Sequence, residues 1–190
     1  MLFLLGIIDL RYGDESSFNL EPNVPYGWIK QGKNRELPSR KGGTLNTFGL
    51  LNLLGELTTY QTTNSVNSQV VIDWLDDFCQ SIEKTTVVIL DNAPWHTSKA
   101  FTAKIKDWEE QGLFIVYLPI YSPHLNPTEI LWRKIKYQWL RPEDFVSKET
   151  LHSRINYIFK NYNSEEFCIE FKNDFNIDYN ALIKCQDIFE

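Results

Sequence analysis

The stretch VVILDNAPWHTSKAF, residues 87–101, holds the clearest signal of architecture in the chain. Its first four residues are apolar and mostly β-branched, and they run directly into Asp91, then Asn92, Pro94 and His96, before a helical pattern opens. A short continuous apolar run of this kind marks a central parallel strand, buried on both faces. Phe101, Ile105 and Trp108 then recur at helical spacing up to Gly112, and LFIVYLP supplies the next strand. Strand, helix and strand in so few residues make a right-handed βαβ unit. Both strands of such a unit end on one edge of the sheet, where ligands gather. Asp91 stands on that edge, and its local sequence fits an Asx turn as well as it fits a ligand group.

Working outward, residues 7–12 read as a strand in which Ile8, Leu10 and Tyr12 share one face, with Asp14 on the same parity just past its end. Residues 44–59, rich in Leu and Thr with Gly49 and Gly55, fit a hairpin of two strands. From 68 to 82, Val71, Trp74, Leu75, Phe78 and Ile82 form a helical stripe, leaving Asp73, Asp76 and Asp77 as a wet face. Residues 127–139 and 148–161 read as helices. The order is a strand, a hairpin, then αβαβα, a mixed sheet flanked by helices.

With 190 residues, 43% of them hydrophobic, the chain has material for one substantial core. Cys79, Cys168 and Cys185 form no CxxC pair, so neither a zinc knuckle nor a disulfide framework is indicated, and they read as reduced cytosolic thiols. The apolar start meets Asp9 too soon for a signal peptide or a membrane span, and the chain reads as beginning inside a core strand, with an upstream domain expected outside it. A net charge of -6 is unusual for a nucleic-acid binder, but its distribution is uneven. Lys30, Lys33, Arg35, Arg40 and Lys41 crowd one polar stretch, Arg133, Lys134 and Lys136 another, and the charged residues after Ser164 are mostly acidic. Either basic cluster alone reads as a solvated face.

The second strand of the βαβ unit ends near Pro119, and YSPHLNPTE folds back before the next helix, bringing Glu129 toward Asp91. If the first strand lies beside this unit, Asp14 joins them. Three convergent carboxylates cannot all stay ionised without a counter-charge. Hard divalent cations such as Mg²⁺ supply one and take phosphate oxygens as further ligands, and two of them about 3.5 to 4 Å apart serve phosphodiester chemistry. Glu129 has a rival role: Asn126, Pro127, Thr128 and Glu129 read as a capping box, with the glutamate bonding back to the cap. Arg133 and Lys136 share a helix face with Glu129, either as a salt-bridged surface or as a cation row for DNA phosphates. His96 is placed to orient a carboxylate or to contact the scissile strand.

Taken together, YGDESSFNL, VVILDNAPWHTSK and YLPIYSPHLNPTEILWRKIK resemble the three catalytic blocks of the DDE transposases, in the bacterial insertion-sequence branch related to Tc/mariner. The resemblance covers roughly residues 9–140 and implies a ribonuclease-H-like α/β fold. It implies that Asp14, Asp91 and Glu129 are the catalytic and metal-binding triad, with Asp9 and Glu15 as the nearby competitors of Asp14. The 37 residues between Asp91 and Glu129 fit the spacing of this branch. The cofactor implied is Mg²⁺, with Mn²⁺ as a substitute and two ions per site. The partners implied are double-stranded DNA, as transposon ends and target, and a second copy of the chain. Lys30, Lys33, Arg35, Arg40, Lys41, His96, Arg133 and Lys136 become the DNA-facing set. The chemistry implied is hydrolytic nicking followed by strand transfer, in a bacterial, nucleoid-associated cytoplasmic setting.

The expected organisation is a catalytic domain over residues 1–163 and an acidic tail over 164–190. The family's N-terminal helix-turn-helix domain is expected to be absent from this chain, which reads as a truncated copy, a decayed remnant or one part of a protein whose upstream part is separately encoded. The rival reading is an inactive remnant that keeps the fold and acts at most as a DNA-binding or dimerising module. A metal-dependent phosphatase on another α/β fold is a third, weakened because no DxD follows a strand.

Overall fold

The computed structural model describes residues 2, 3, 5–22, 31 and 42–169. Five strands form one mixed sheet in the order β3-β2-β1-β4-β5. They are β1 (Asp9–Phe18), β2 (Leu45–Leu51), β3 (Leu57–Thr62), β4 (Thr86–Leu90) and β5 (Leu113–Tyr117). The helices are α1 (Ser68–Ser81), α2 (Lys99–Glu110), α3 (Pro127–Lys134) and α4 (Lys148–Lys160). Strand β4, helix α2 and strand β5 form the expected parallel unit, with Thr86 to Leu90 in register with Leu113 to Tyr117. Gly112, at φ 91°, takes the left-handed turn that ends α2 and starts β5.

Strand β1 differs from its expected extent. It runs through Asp14 to Phe18 because it has two partners of different length. On one side it pairs parallel with β4 only from Asp9 to Tyr12; on the other it pairs antiparallel with β2 from Tyr12 to Phe18. The apolar pattern stops at Tyr12, where the pairing with β4 ends, while the ladder with β2 continues to Phe18.

Strand alternation sorts the core onto the two faces of the sheet. Phe48 and Leu50 of β2 pack with Val71, Leu75, Phe101 and Trp108 of α1 and α2. Leu45 and Leu51, of opposite parity, pack with Phe18 of β1 and with Leu131, Trp132, Leu151 and Ile155 of α3 and α4. Burial of each such side chain contributes about 1.5 to 3 kcal/mol. Phe167 is also buried in this second cluster, so the packed core reaches past residue 163. The helix expected over 127–139 is α3 followed by a five-residue π-helical turn, Ile135–Trp139.

Of the three aspartates on α1, Asp76 accepts from Trp108 Nε1 at 2.7 Å and Asp77 from the Tyr60 hydroxyl at 3.0 Å, consistent with a structural face. Among the described residues, no helix is long and apolar enough to cross a membrane. Cys79 is buried and Cys168 exposed, both as free thiols.

Candidate active site

The parallel ladder between β1 and β4 stops at Tyr12, while β1 runs on to Phe18. The start of α3 docks at that point. Thr128 Oγ1 donates to Tyr12 O at 2.7 Å, and Asn126 Nδ2 donates to Gly13 O at 3.1 Å. Asn126 Oδ1 meanwhile accepts from Thr128 N, capping the helix. Both residues are buried. The cap is thus closed by Asn126 without help from Glu129, and the capping box read from the sequence does not form. Glu129 is exposed, one residue beyond the clamp.

The other end of this docking is Trp132, one helical turn on. Its indole lies over Gly49, where an added Cβ would stand 2.8 Å from the ring. Gly49 is the partner of Asp14 in the β1–β2 ladder. A glycine opposite Asp14 lets α3 lie close on the sheet and brings Glu129 toward the strand that carries Asp14.

Asp14, Asp91 and Glu129 line one cavity of about 350 Å³, with Asn92, Asn126 and the loop from Leu118 to Pro123. Among the described residues, no three His, Cys, Asp or Glu side chains close into a metal cage. Burial, and then the negative charges of Glu129, Glu15 and Asp91, push Asp14 up to about 8. Asp14 is therefore mostly protonated at neutral pH in the free protein.

Asp91 is treated in the opposite way. Its Oδ1 accepts from Ala93 N at 3.0 Å, which is the Asx turn anticipated for DNAP, and from His96 Nδ1 at 2.9 Å. The His96 bond leads the effects that hold Asp91 below the usual carboxylate range. His96 Nε2 donates to Glu15 Oε1 at 2.9 Å, and Trp95 Nε1 donates to the same oxygen at 3.2 Å. Burial alone would depress the imidazole, but the bonds to Asp91 and Glu15 outweigh it and raise His96 to about 9. At neutral pH it is an imidazolium held between two carboxylates.

This corrects one member of the expected DNA-facing set. The His96 side chain is 0% exposed, so it orients Asp91 from behind and is sealed from any substrate. The competitors of Asp14 are likewise engaged: Glu15, of opposite strand parity, by His96 and Trp95, and Asp9, at the far end of β1, by Arg11.

The basic residues divide. Arg133 is exposed beyond Glu129. Lys136 is partly buried, with Nζ 5.5 Å from the centre of the Phe18 ring; burial lowers its pKa while the charges of Glu129 and Asp14 act to raise it. It faces the carboxylates and is not the outer member of a cation row. Lys30, Lys33, Arg35, Arg40 and Lys41 lie outside the described residues. Sequence reasoning missed the clamp of Asn126 and Thr128, the Trp132–Gly49 contact and the cavity-lining Ile120 and Tyr121. The first was visible only as a helix cap, because a cap residue's second bond is invisible without the strand it reaches.

Residues 9–152 match the family model of the DDE superfamily endonucleases. No curated protein matches the chain by sequence. Among solved structures, the Mos1 strand transfer complex matches at TM-score 0.59 and 16% identity over 100% of this chain and 54% of that one. The mariner Mos1 paired-end complex with Mg matches at 0.59 and 18% over 94% and 52%. The catalytic domain of the Mos1 mariner transposase matches at 0.53 and 14% over 96% and 78%. This chain spans about half the length of the transposases in the two complexes. The expected ribonuclease-H-like fold is the one observed: a mixed five-stranded sheet flanked by helices. The chain belongs to the DDE superfamily of endonucleases, with a fold similar to that of the Mos1 mariner transposase catalytic domain.

Proposed function

We propose that this chain is the catalytic domain of a transposase, that Asp14, Asp91 and Glu129 hold two divalent cations, Mg²⁺ or Mn²⁺, and that the reaction is DNA strand cleavage followed by strand transfer. The observation that carries the reading is the cavity itself. Three carboxylates from three separate elements surround it, and one of them is pushed up to about 8 by burial and the other charges. The open arrangement suits Mg²⁺, which keeps several waters and uses one or two carboxylates plus substrate phosphates. When bound, such ions activate an attacking oxygen and stabilise the leaving one.

The chain's own residues supply the rest. His96 keeps Asp91 ionised and fixed, so that its second oxygen, Oδ2, stays available. Asn126 and Thr128 hold α3 on β1, setting Glu129 relative to Asp14. Lys136 offsets part of the negative charge of the site from its inner side. Arg133 stands at the surface, where it can meet backbone phosphates. The partners in this reading are transposon ends and target DNA and a second copy of the chain, in a nucleoid-associated setting. The remnant reading is weakened because the fold does not need a buried, repelled carboxyl group at position 14.

The test is nicking of supercoiled plasmid by the full chain with Mg²⁺ or Mn²⁺. We expect metal-dependent nicking that drops by several orders of magnitude in Asp91→Ala with the circular dichroism spectrum unchanged. Nicking that survives in Asp91→Ala, or no nicking with either metal, would return the chain to the remnant reading.

A further inference from the structure

The loop from β5 to α3 presents its tip in an unusual way. Tyr121 is 95% exposed and Ile120 is 70% exposed, yet both line the cavity that holds Asp14, Asp91 and Glu129. Tyr121 also has φ 58°, in the left-handed region that disfavours a bulky side chain. Such a conformation persists only where its surroundings impose it.

Here both ends of the loop are tied to the site. Asn92, the neighbour of Asp91, donates through Nδ2 to Leu118 O at 2.6 Å. At the other end Asn126 is clamped to Gly13. Pro119 and Pro123 stiffen the span between them. An aromatic ring is therefore held out at the rim of the cavity with almost no contact to its own protein. A tyrosine has little to gain in that position from packing, and a flat apolar surface of this kind fits a nucleobase, whichever base it is.

We infer that Tyr121 is a base-stacking residue: its ring takes a nucleobase of the strand bordering the phosphate at the three carboxylates, with Ile120 flanking the same base. The inference rests on the DNA-cleaving reading of the site. It adds a sequence-tolerant grip on the strand, set by the loop and separate from the carboxylates. The ring touches DNA and takes no part in the reaction at the phosphate.

The experiment uses the full chain and short duplexes with a single-stranded 3′ extension carrying 2-aminopurine at successive positions, in Ca²⁺ to slow cleavage. Stacking against Tyr121 should quench or shift the probe's fluorescence at one or two positions. Tyr121→Trp and Tyr121→Phe should keep the effect. Tyr121→Asn, which tolerates the left-handed conformation, should abolish it and weaken binding of the extended duplex by roughly 5- to 100-fold, with an unchanged thermal melt. An identical signal and affinity in Tyr121→Asn, or no position-specific signal in the wild type, would overturn the inference. Plasmid nicking by the wild type separates this outcome from failure of the DNA-cleaving reading, because nicking persists if only the stacking role is wrong.

Discussion

Strand β1 carries an aspartate near each end of its parallel-paired stretch, and the two are treated in opposite ways. Asp9 is joined by Arg11, which also reaches Glu56 Oε2 at 2.6 Å, while Asn52 donates to the same glutamate at 2.9 Å. That cluster holds its own counter-charge. At the other end Asp14 faces Glu129, Glu15 and Asp91, and the nearest cations, His96 and Lys136, are partly or wholly withdrawn behind the carboxylates. Two carboxylates that share one guanidinium by direct contact are structure. A cluster that leaves its charge unbalanced around a cavity is built to be completed by something else.

Neutralising each aspartate in turn should have opposite effects at the two ends of the strand. Asp14→Asn should abolish plasmid nicking, yet stabilise the metal-free protein. The carboxyl of Asp14 is raised from 3.8 to about 8 on folding. The folded state therefore holds that proton more tightly, and the stability so gained is full below pH 4 and lost as pH rises toward 8. The amide removes this loss, worth on the order of a few kcal/mol near pH 8. Asp9→Asn should do the reverse, leaving nicking intact and lowering stability by about 1 kcal/mol or less. Urea titration of both variants at pH 8 reads the two signs, and equal signs would erase the distinction between the clusters.

Next in size is His96→Gln, which keeps a hydrogen bond to one neighbour but removes the cation between Asp91 and Glu15. Affinity for Mn²⁺ by calorimetry should fall by roughly 10- to 100-fold, while the same measurement on His152→Gln should match the wild type. His152 Nε2 meets only the carbonyl of Gly43, 3.1 Å away.

The smallest effect is a slope. Ion binding near neutral pH must displace the proton of Asp14, so Mn²⁺ affinity should rise about tenfold per pH unit below 8 and level off above it. Stability of the metal-free protein should move the other way. His96, raised from 6.5 to about 9, contributes stability that is full below pH 6.5 and lost as pH rises through 9. Thermal melts with and without Mn²⁺ should therefore differ more at pH 8 than at pH 6, and a constant difference would remove Asp14 from the ion site.

Much of this was legible in the sequence because it rests on periodicity. The βαβ unit, the hairpin and helices α1, α2 and α4 were all marked by apolar spacing and by turn residues at Gly55 and Gly112. The full length of β1 was not, since Gly13 to Ser17 follow no apolar alternation. Gly13 itself is kept small by Leu90, whose side chain would lie 2.5 Å from an added Cβ. That Asp14, Asp91 and Glu129 share one cavity could be expected from spacing and resemblance, but the burial of His96 could not, because HTSK at a helix start looks the same whether the imidazole points in or out. The double use of Asn126 was hidden for a similar reason: the local helix cap accounted fully for the residue.

The junction at Tyr12, where β1 exchanges one partner for another, bears on how the protein reaches its native state. Asp14 and Asp91 are 77 positions apart in the chain, and Asp91 and Glu129 are 38 apart. No local segment contains two of the three, so the site forms only after the β1–β4 pairing has closed a long loop, the slow class of event in folding. A cation cannot then act as a nucleus, and the polypeptide must assemble the whole sheet, taking up the proton of Asp14, unaided. Added Mn²⁺ should leave the refolding rate nearly unchanged and slow unfolding instead.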